Sequence, residues 1–166
     1  MAMESDDFRM IEVAARVAAP ADDVFRAFTD ADELAAWWGP EGFSVSEAQT
    51  DPRPGGAIRI GMVAPDGTVQ PVEGAYRQVG PSVVAFQLSP IAPDGAPHLD
   101  GVVSVELIAA GDETDVRVTA EGRAFTPQGR LMVAGMHEGW VESLRCLQRY
   151  LEERDNPSLK MRHDGI

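Results

Sequence analysis

Apolar positions near the start of the chain recur with a period of two. In Phe8–Ala18, Ile11, Val13, Ala15 and Val17 share one parity while Glu12 and Arg16 take the other, which predicts a half-buried strand ended by Pro20. The period then changes to a helical one. Val24, Phe25 and Phe28 fall at helical spacing within Ala21–Phe28. A second short helix is predicted from Asp30, with Glu33 as its capping-box partner, Leu34, Trp37 and Trp38 as its apolar side and Gly39-Pro40 as its stop. From Phe43 to Glu121 the texture returns to strands: Phe43–Thr50, Ala57–Val63, Val69–Val79, Val83–Ser89, Val102–Ala109 and Asp115–Glu121. Turn signals and no helix-length pattern separate these runs, so with the opening strand they predict a seven-stranded antiparallel sheet.

The last pattern is long and helical. Across Thr126–Arg154, Val133, Met136, Trp140, Leu144, Leu147 and Leu151 fall on one arc, with Glu138, Glu142, Arg145, Arg149 and Glu152 opposite. Thr126 is a good N-cap, Pro127 suits the first helical position, and Asn156-Pro157 marks the stop. Gly129, Gly135 and Gly139 cost about 1 kcal/mol each relative to alanine at helical positions. Such glycines serve either close backbone packing or space for something bound.

Two hairpins test the strand assignment, because turn chemistry and side-chain parity must choose the same register. Pro65-Asp66-Gly67 fits a type I turn with a left-handed glycine, which sets Ile60 opposite Val72 and Ile58 opposite Gly74. A two-residue turn at Gly111-Asp112 sets Leu107 opposite Val116, Val105 opposite Val118 and Glu106 opposite Arg117. Pro71 lies inside the fourth strand, which argues for an unpaired stretch or an edge position. Ile91–Pro97 reads as a loop. One strand, two short helices, six strands and one long helix make an α+β domain: the sheet curls around the only element long enough to cover its apolar face. A single domain spanning residues 8–154 is expected, with flexible termini at 1–7 and 155–166.

Composition narrows the partners. With 14 Lys+Arg against 27 Asp+Glu the net charge is −13, spread along 166 residues. That charge disfavours nucleic acid and anionic membranes, and no segment has the length or leader pattern for membrane insertion or export. A cytoplasmic location is expected. Cys146 is the only cysteine, so an internal disulfide is impossible.

The chain resembles the START-like helix-grip superfamily, in particular the branch related to the C-terminal domain of the activator of Hsp90 ATPase. The residues carrying the resemblance are Pro20-Ala21 with Val24-Phe25, Trp37-Trp38-Gly39-Pro40, Gly42-Phe43 and Asp51-Pro52-Arg53-Pro54-Gly55-Gly56. Pro65-Asp66-Gly67, Gly74-Ala75-Tyr76 and Gly139-Trp140 follow in the family's order. The resemblance covers about residues 8–153. It implies a β-α-α-β6-α domain with a cavity between the sheet and the long helix, commonly holding an apolar or amphipathic small molecule.

Candidate site residues follow from the faces. Met132, Met136 and Trp140 line the first half of the long helix and face Met62, Tyr76 and Phe86 of the sheet; Trp38 and Phe43 stand at the groove mouth, and His137 at the margin of the apolar stripe. Methionine and rigid aromatics suit a variable apolar ligand as well as they suit a core. Arg53 beside Asp51 is a solvated turn residue or a rim contact for a ligand carboxylate. His137-Glu138 begins like a zinc motif, but Val141 stands where its second histidine belongs, so no metal and no cofactor are expected. Binding of a small hydrophobic or amphipathic molecule ranks first. A cyclase- or hydrolase-type enzyme drawing on His137, Tyr76, Glu73 or Arg53 ranks behind it. An Hsp90 co-chaperone role ranks lower still, because the full activator has a second domain without counterpart in this sequence. A homodimer through sheet edges or the helix surface stays open.

Overall fold

A computed structural model describes residues 7–155, the side chain of Asp155 excepted. The predicted stop at Asn156-Pro157 and most of both predicted flexible termini lie outside the described residues. The alternating stretch forms β1 (Phe8–Val17), followed by α1 (Ala21–Thr29) and α2 (Ala31–Trp37). Strands β2 (Ser44–Thr50), β3 (Ala57–Val63), β4 (Val69–Val79), β5 (Val83–Pro90), β6 (Leu99–Ala110) and β7 (Glu113–Ala124) come next, then α3 (Pro127–Ala134) and α4 (Met136–Asp155).

All seven strands form one antiparallel sheet in the order β1-β7-β6-β5-β4-β3-β2. Both predicted hairpin registers are present: Ile60 faces Val72 and Ile58 faces Gly74, while Leu107, Val105 and Glu106 face Val116, Val118 and Arg117. The turns carry the glycine conformations that the registers require, Gly67 at φ +89° and Gly111 at φ +71°. Pro71 is not on an edge strand, since β4 lies between β3 and β5. Its carbonyl accepts from the Ile91 amide just past the last β4–β5 pair, so its missing N–H falls where β5 has already ended.

Three local differences from the sequence pattern matter. The expected single helix from Thr126 is two helices, broken at Gly135, whose backbone (φ −93°, ψ 7°) leaves the helical range. The break lets α3 lie on β7 and β6 while α4 turns to run along β1. Arg9 Nη1 donates to the Ala134 carbonyl freed there, at 2.6 Å. Trp38 is not part of the apolar side of α2; it is the residue after the helix, in extended backbone (φ −58°, ψ 135°). Glu33 completes no capping box. Its amide donates to Asp30 at 3.1 Å, but its carboxylate accepts instead from Arg154 at 2.6 Å and from the Tyr150 hydroxyl at 3.1 Å, tying α2 to α4.

The core fills the concave face of the sheet. Leu144, Leu147 and Leu151 anchor α4, at 2%, 0% and 1% exposure. α1 closes one end through two bonds to its C-terminal carbonyls: the Tyr76 hydroxyl donates to Phe28 at 3.1 Å and the Thr50 hydroxyl to Thr29 at 2.8 Å. α3 packs on a separate small cluster of Leu99, Ala124 and Val133, with Met132 against it.

Candidate functional site

Between α4 and the sheet runs a line of aromatic rings. Trp140 on α4 meets Trp38 edge-on, with centroids 5.7 Å apart. Trp38 leans on Phe86 at 6.1 Å, and Phe86 on Tyr76 at 6.4 Å. Trp37, the other indole of the pair, points into the core: it is 4% exposed, its Nε1–H donates to the Ala27 carbonyl at 2.9 Å, and its ring abuts Phe28 at 4.9 Å. Trp38 and Trp140 are half-buried, and neither indole N–H has a hydrogen-bond partner among the described residues.

The sites expected from sequence do not form one cluster. Trp38, Phe43 and Met62 come together at the α2–β2 connection, where a Cβ on Gly39 would lie 3.2 Å from the Met62 methyl and 3.4 Å from Phe43. Trp140, Phe86 and Tyr76 complete the aromatic line, and Met136 joins the same core. Met132 belongs to the small cluster under α3, away from these rings. His137 is half-exposed with its Nδ1 3.2 Å from Glu138 on the same helix. Arg53 stands 74% exposed, paired with Asp51 at 2.8 Å.

Two hollows adjoin the line. One is a small hollow of about 10 Å³ in the core, bounded by Phe28, Leu34, Ile58, Tyr76, Phe86 and others, about the size of a single water. The second is an open groove of about 710 Å³ between the α2–β2 connection and the second half of α4. Sequence reasoning missed this groove. Cys146, Tyr150 and Arg154 line it at i, i+4, i+8 along α4, next to Arg149, which donates to Glu41 across the groove at 2.8 Å. The signal was a half-apolar stripe beside the core stripe, masked by its charged neighbours.

Electrostatics follow burial and pairing. Burial pushes the Tyr76 phenol up to about 12, with a Thr50 hydroxyl hydrogen bond opposing it. The Cys146 thiol is raised by burial and then by Glu41. The hydrogen bond from Arg149 holds the Glu41 carboxyl below the usual carboxylate range. The interior is therefore hydrocarbon and aromatic, with its one phenol neutral and committed, while ionised groups ring the groove outside. Among the described residues no cluster of three His, Cys, Asp or Glu could hold a metal ion. None of their helices is long and apolar enough to cross a membrane.

A curved antiparallel sheet holding a long C-terminal helix across an aromatic interior defines the START-like helix-grip class. The sequence model of the Activator of Hsp90 ATPase homolog 1-like protein family matches residues 18–152, and the chain belongs to that family. Among solved structures, the fold is similar to that of the AHSA1 protein of Silicibacter pomeroyi (25% identity, TM-score 0.71), covering 88% of this chain and 99% of that one. It is also similar to a protein of Arthrobacter aurescens (22% identity, TM-score 0.73, 87% and 86% covered). A protein of Nitrosomonas europaea (24% identity, TM-score 0.66, 92% and 99% covered) is a further likeness. No curated protein matches the sequence.

Proposed function

We propose that the chain binds one small apolar or amphipathic molecule between α4 and the concave face of the sheet, without covalent chemistry. The observation that carries this reading is the half-buried Trp38–Trp140 pair at the margin of the apolar core, whose two indole donors lack partners among the described residues and reach solvent. Tryptophans with an apolar ring against the core and an N–H open to solvent suit a ligand with an apolar body and a polar tip.

Titration of the purified protein with 1-anilinonaphthalene-8-sulfonate and with cis-parinaric acid, followed by native mass spectrometry, tests the reading. Saturable binding of at least one probe at one equivalent per chain is expected. At about 100 times its dissociation constant that probe should raise unfolding stability by about 2.7 kcal/mol. Failure of both probes to saturate a single site would overturn the proposal.

A further inference from the structure

Trp38 lines both hollows, and no other residue lines both: on one side lies the small core hollow, on the other the groove between α2 and α4. Its indole thus stands between the two. Three facts bear on how firmly it is held. Its backbone lies outside α2, followed by Gly39 at φ +103°, a conformation that side-chain-bearing residues rarely adopt. Its ring is held by contacts with Trp37, Phe86 and Trp140 and, among the described residues, by no hydrogen bond. By contrast, Phe28, Leu34, Ile58, Ile60, Tyr76 and Phe86 around the void are all 3% exposed or less, and Tyr76 is also bonded through its hydroxyl.

The void itself holds about 10 Å³, far too little for a ligand. Anything bound inside must therefore occupy volume that a side chain gives up, and Trp38 is the side chain least held. The space it vacates has the shape of its own ring: flat, bicyclic, and walled by Phe86 and Trp140. In the groove, the Arg149 guanidinium, which uses Nη1 and Nη2 on Glu41, keeps further N–H donors for an acceptor group.

We infer that the α2–α4 groove is the route to the interior site, that Trp38 is its gate, and that the molecule admitted is a flat ring system of about indole size with a hydrogen-bond-accepting end, not a long acyl chain. This inference rests on the binding function proposed above. A bicyclic ring replaces a bicyclic ring; a long chain would need a tunnel, and the hollow behind Trp38, walled in part by Phe28 and Tyr76, holds only about 10 Å³.

Stopped-flow fluorescence with 1-anilinonaphthalene-8-sulfonate as ring probe and cis-parinaric acid as chain probe tests it, on the wild type, Trp38→Ala and Ala36→Trp. Ala36 is an exposed groove residue, so its tryptophan narrows the route without touching the interior. The ring probe should associate at least about tenfold faster with W38A, because the fraction of time spent open no longer limits binding. A36W should slow association and dissociation together and leave the dissociation constant within about twofold. The chain probe should bind the wild type at least about tenfold more weakly than the ring probe. One-site ring binding with equal association rates in wild type and W38A, or unaffected by A36W, would overturn the gate and leave the binding function standing. Tighter binding of the chain probe would overturn the ligand class. Absence of one-site binding by either probe in both wild type and W38A would overturn gate and function together. Where circular dichroism shows W38A unfolded, the A36W rates decide.

Discussion

Trp37 and Trp38 are separated by one peptide bond and by the end of a helix. The helix aims Trp37 at the Ala27 carbonyl, where burial and a hydrogen bond hold it; the extended backbone at Trp38 turns the next indole toward α4. Tyr76 shows the same logic in the sheet. Its hydroxyl is buried, donates to Phe28 and lies against Thr50, so the neutral phenol is the form the fold stabilises. Tyr76→Phe leaves the Phe28 carbonyl short of a partner in the core and should lower unfolding stability by about 1–2 kcal/mol at neutral pH. The sign of the pH effect follows from the raised phenol. Its contribution is fully present below the ordinary tyrosine value of 10.0 and is lost as pH rises toward about 12. Urea midpoints measured between pH 9 and pH 12 should therefore fall more steeply for the wild type than for Y76F, and parallel curves would refute the assignment.

Among the elements, the C-terminal helical region is where glycine sets the architecture, and its three glycines act in three ways. At Gly129 a Cβ would lie 2.0 Å from the His98 carbonyl oxygen, so only glycine lets α3 seat this close to the loop before β6. Gly135 makes the break, and Gly139 faces open space. Gly129→Ala should cost about 1–3 kcal/mol as an overpacked backbone contact. Gly139→Ala should stabilise by up to about 1 kcal/mol, the helix-propensity gain. Thermal unfolding of both variants checks the pair; equal effects would mean that the contact at His98 does not constrain α3. The same glycines mark the limit of what the sequence made legible. Hairpin registers could be read because turn residues and side-chain parity are independent signals that agreed at Gly67 and Gly111. The Gly135 break could not, because Val133, Met136 and Trp140 keep helical periodicity straight through it. Trp38 likewise continues the apolar stripe of α2 after the backbone has stopped being helical. The groove stayed hidden for a different reason: it forms where α4 crosses the α2–β2 connection, and no local pattern in Cys146, Arg149 or Tyr150 specifies what lies opposite.

At the scale of the whole molecule, two electrostatic effects oppose each other. Ion pairs stitch separate elements together: Arg16 to Asp115 between β1 and β7, Arg149 to Glu41, and Arg154 to Glu33. The first two are about half exposed, and exposed pairs are worth about 0–1 kcal/mol each. Against them stands a net charge of −13, whose self-repulsion weakens any compact state. Salt screens both, but unequally. A pair in contact is shorter than any Debye length in the range, whereas repulsion among surplus carboxylates acts over many ångströms and is cut strongly when that length falls from about 30 Å at 0.01 M to about 8 Å at 0.15 M. The repulsive side should therefore lose more, and the folded state should gain stability with added salt. Urea unfolding, which unlike guanidinium adds no ions, should show a midpoint that rises across that range of sodium chloride. A falling midpoint would mean that the ion pairs between elements, those of α4 with α2 and the α2–β2 connection among them, outweigh the surplus charge.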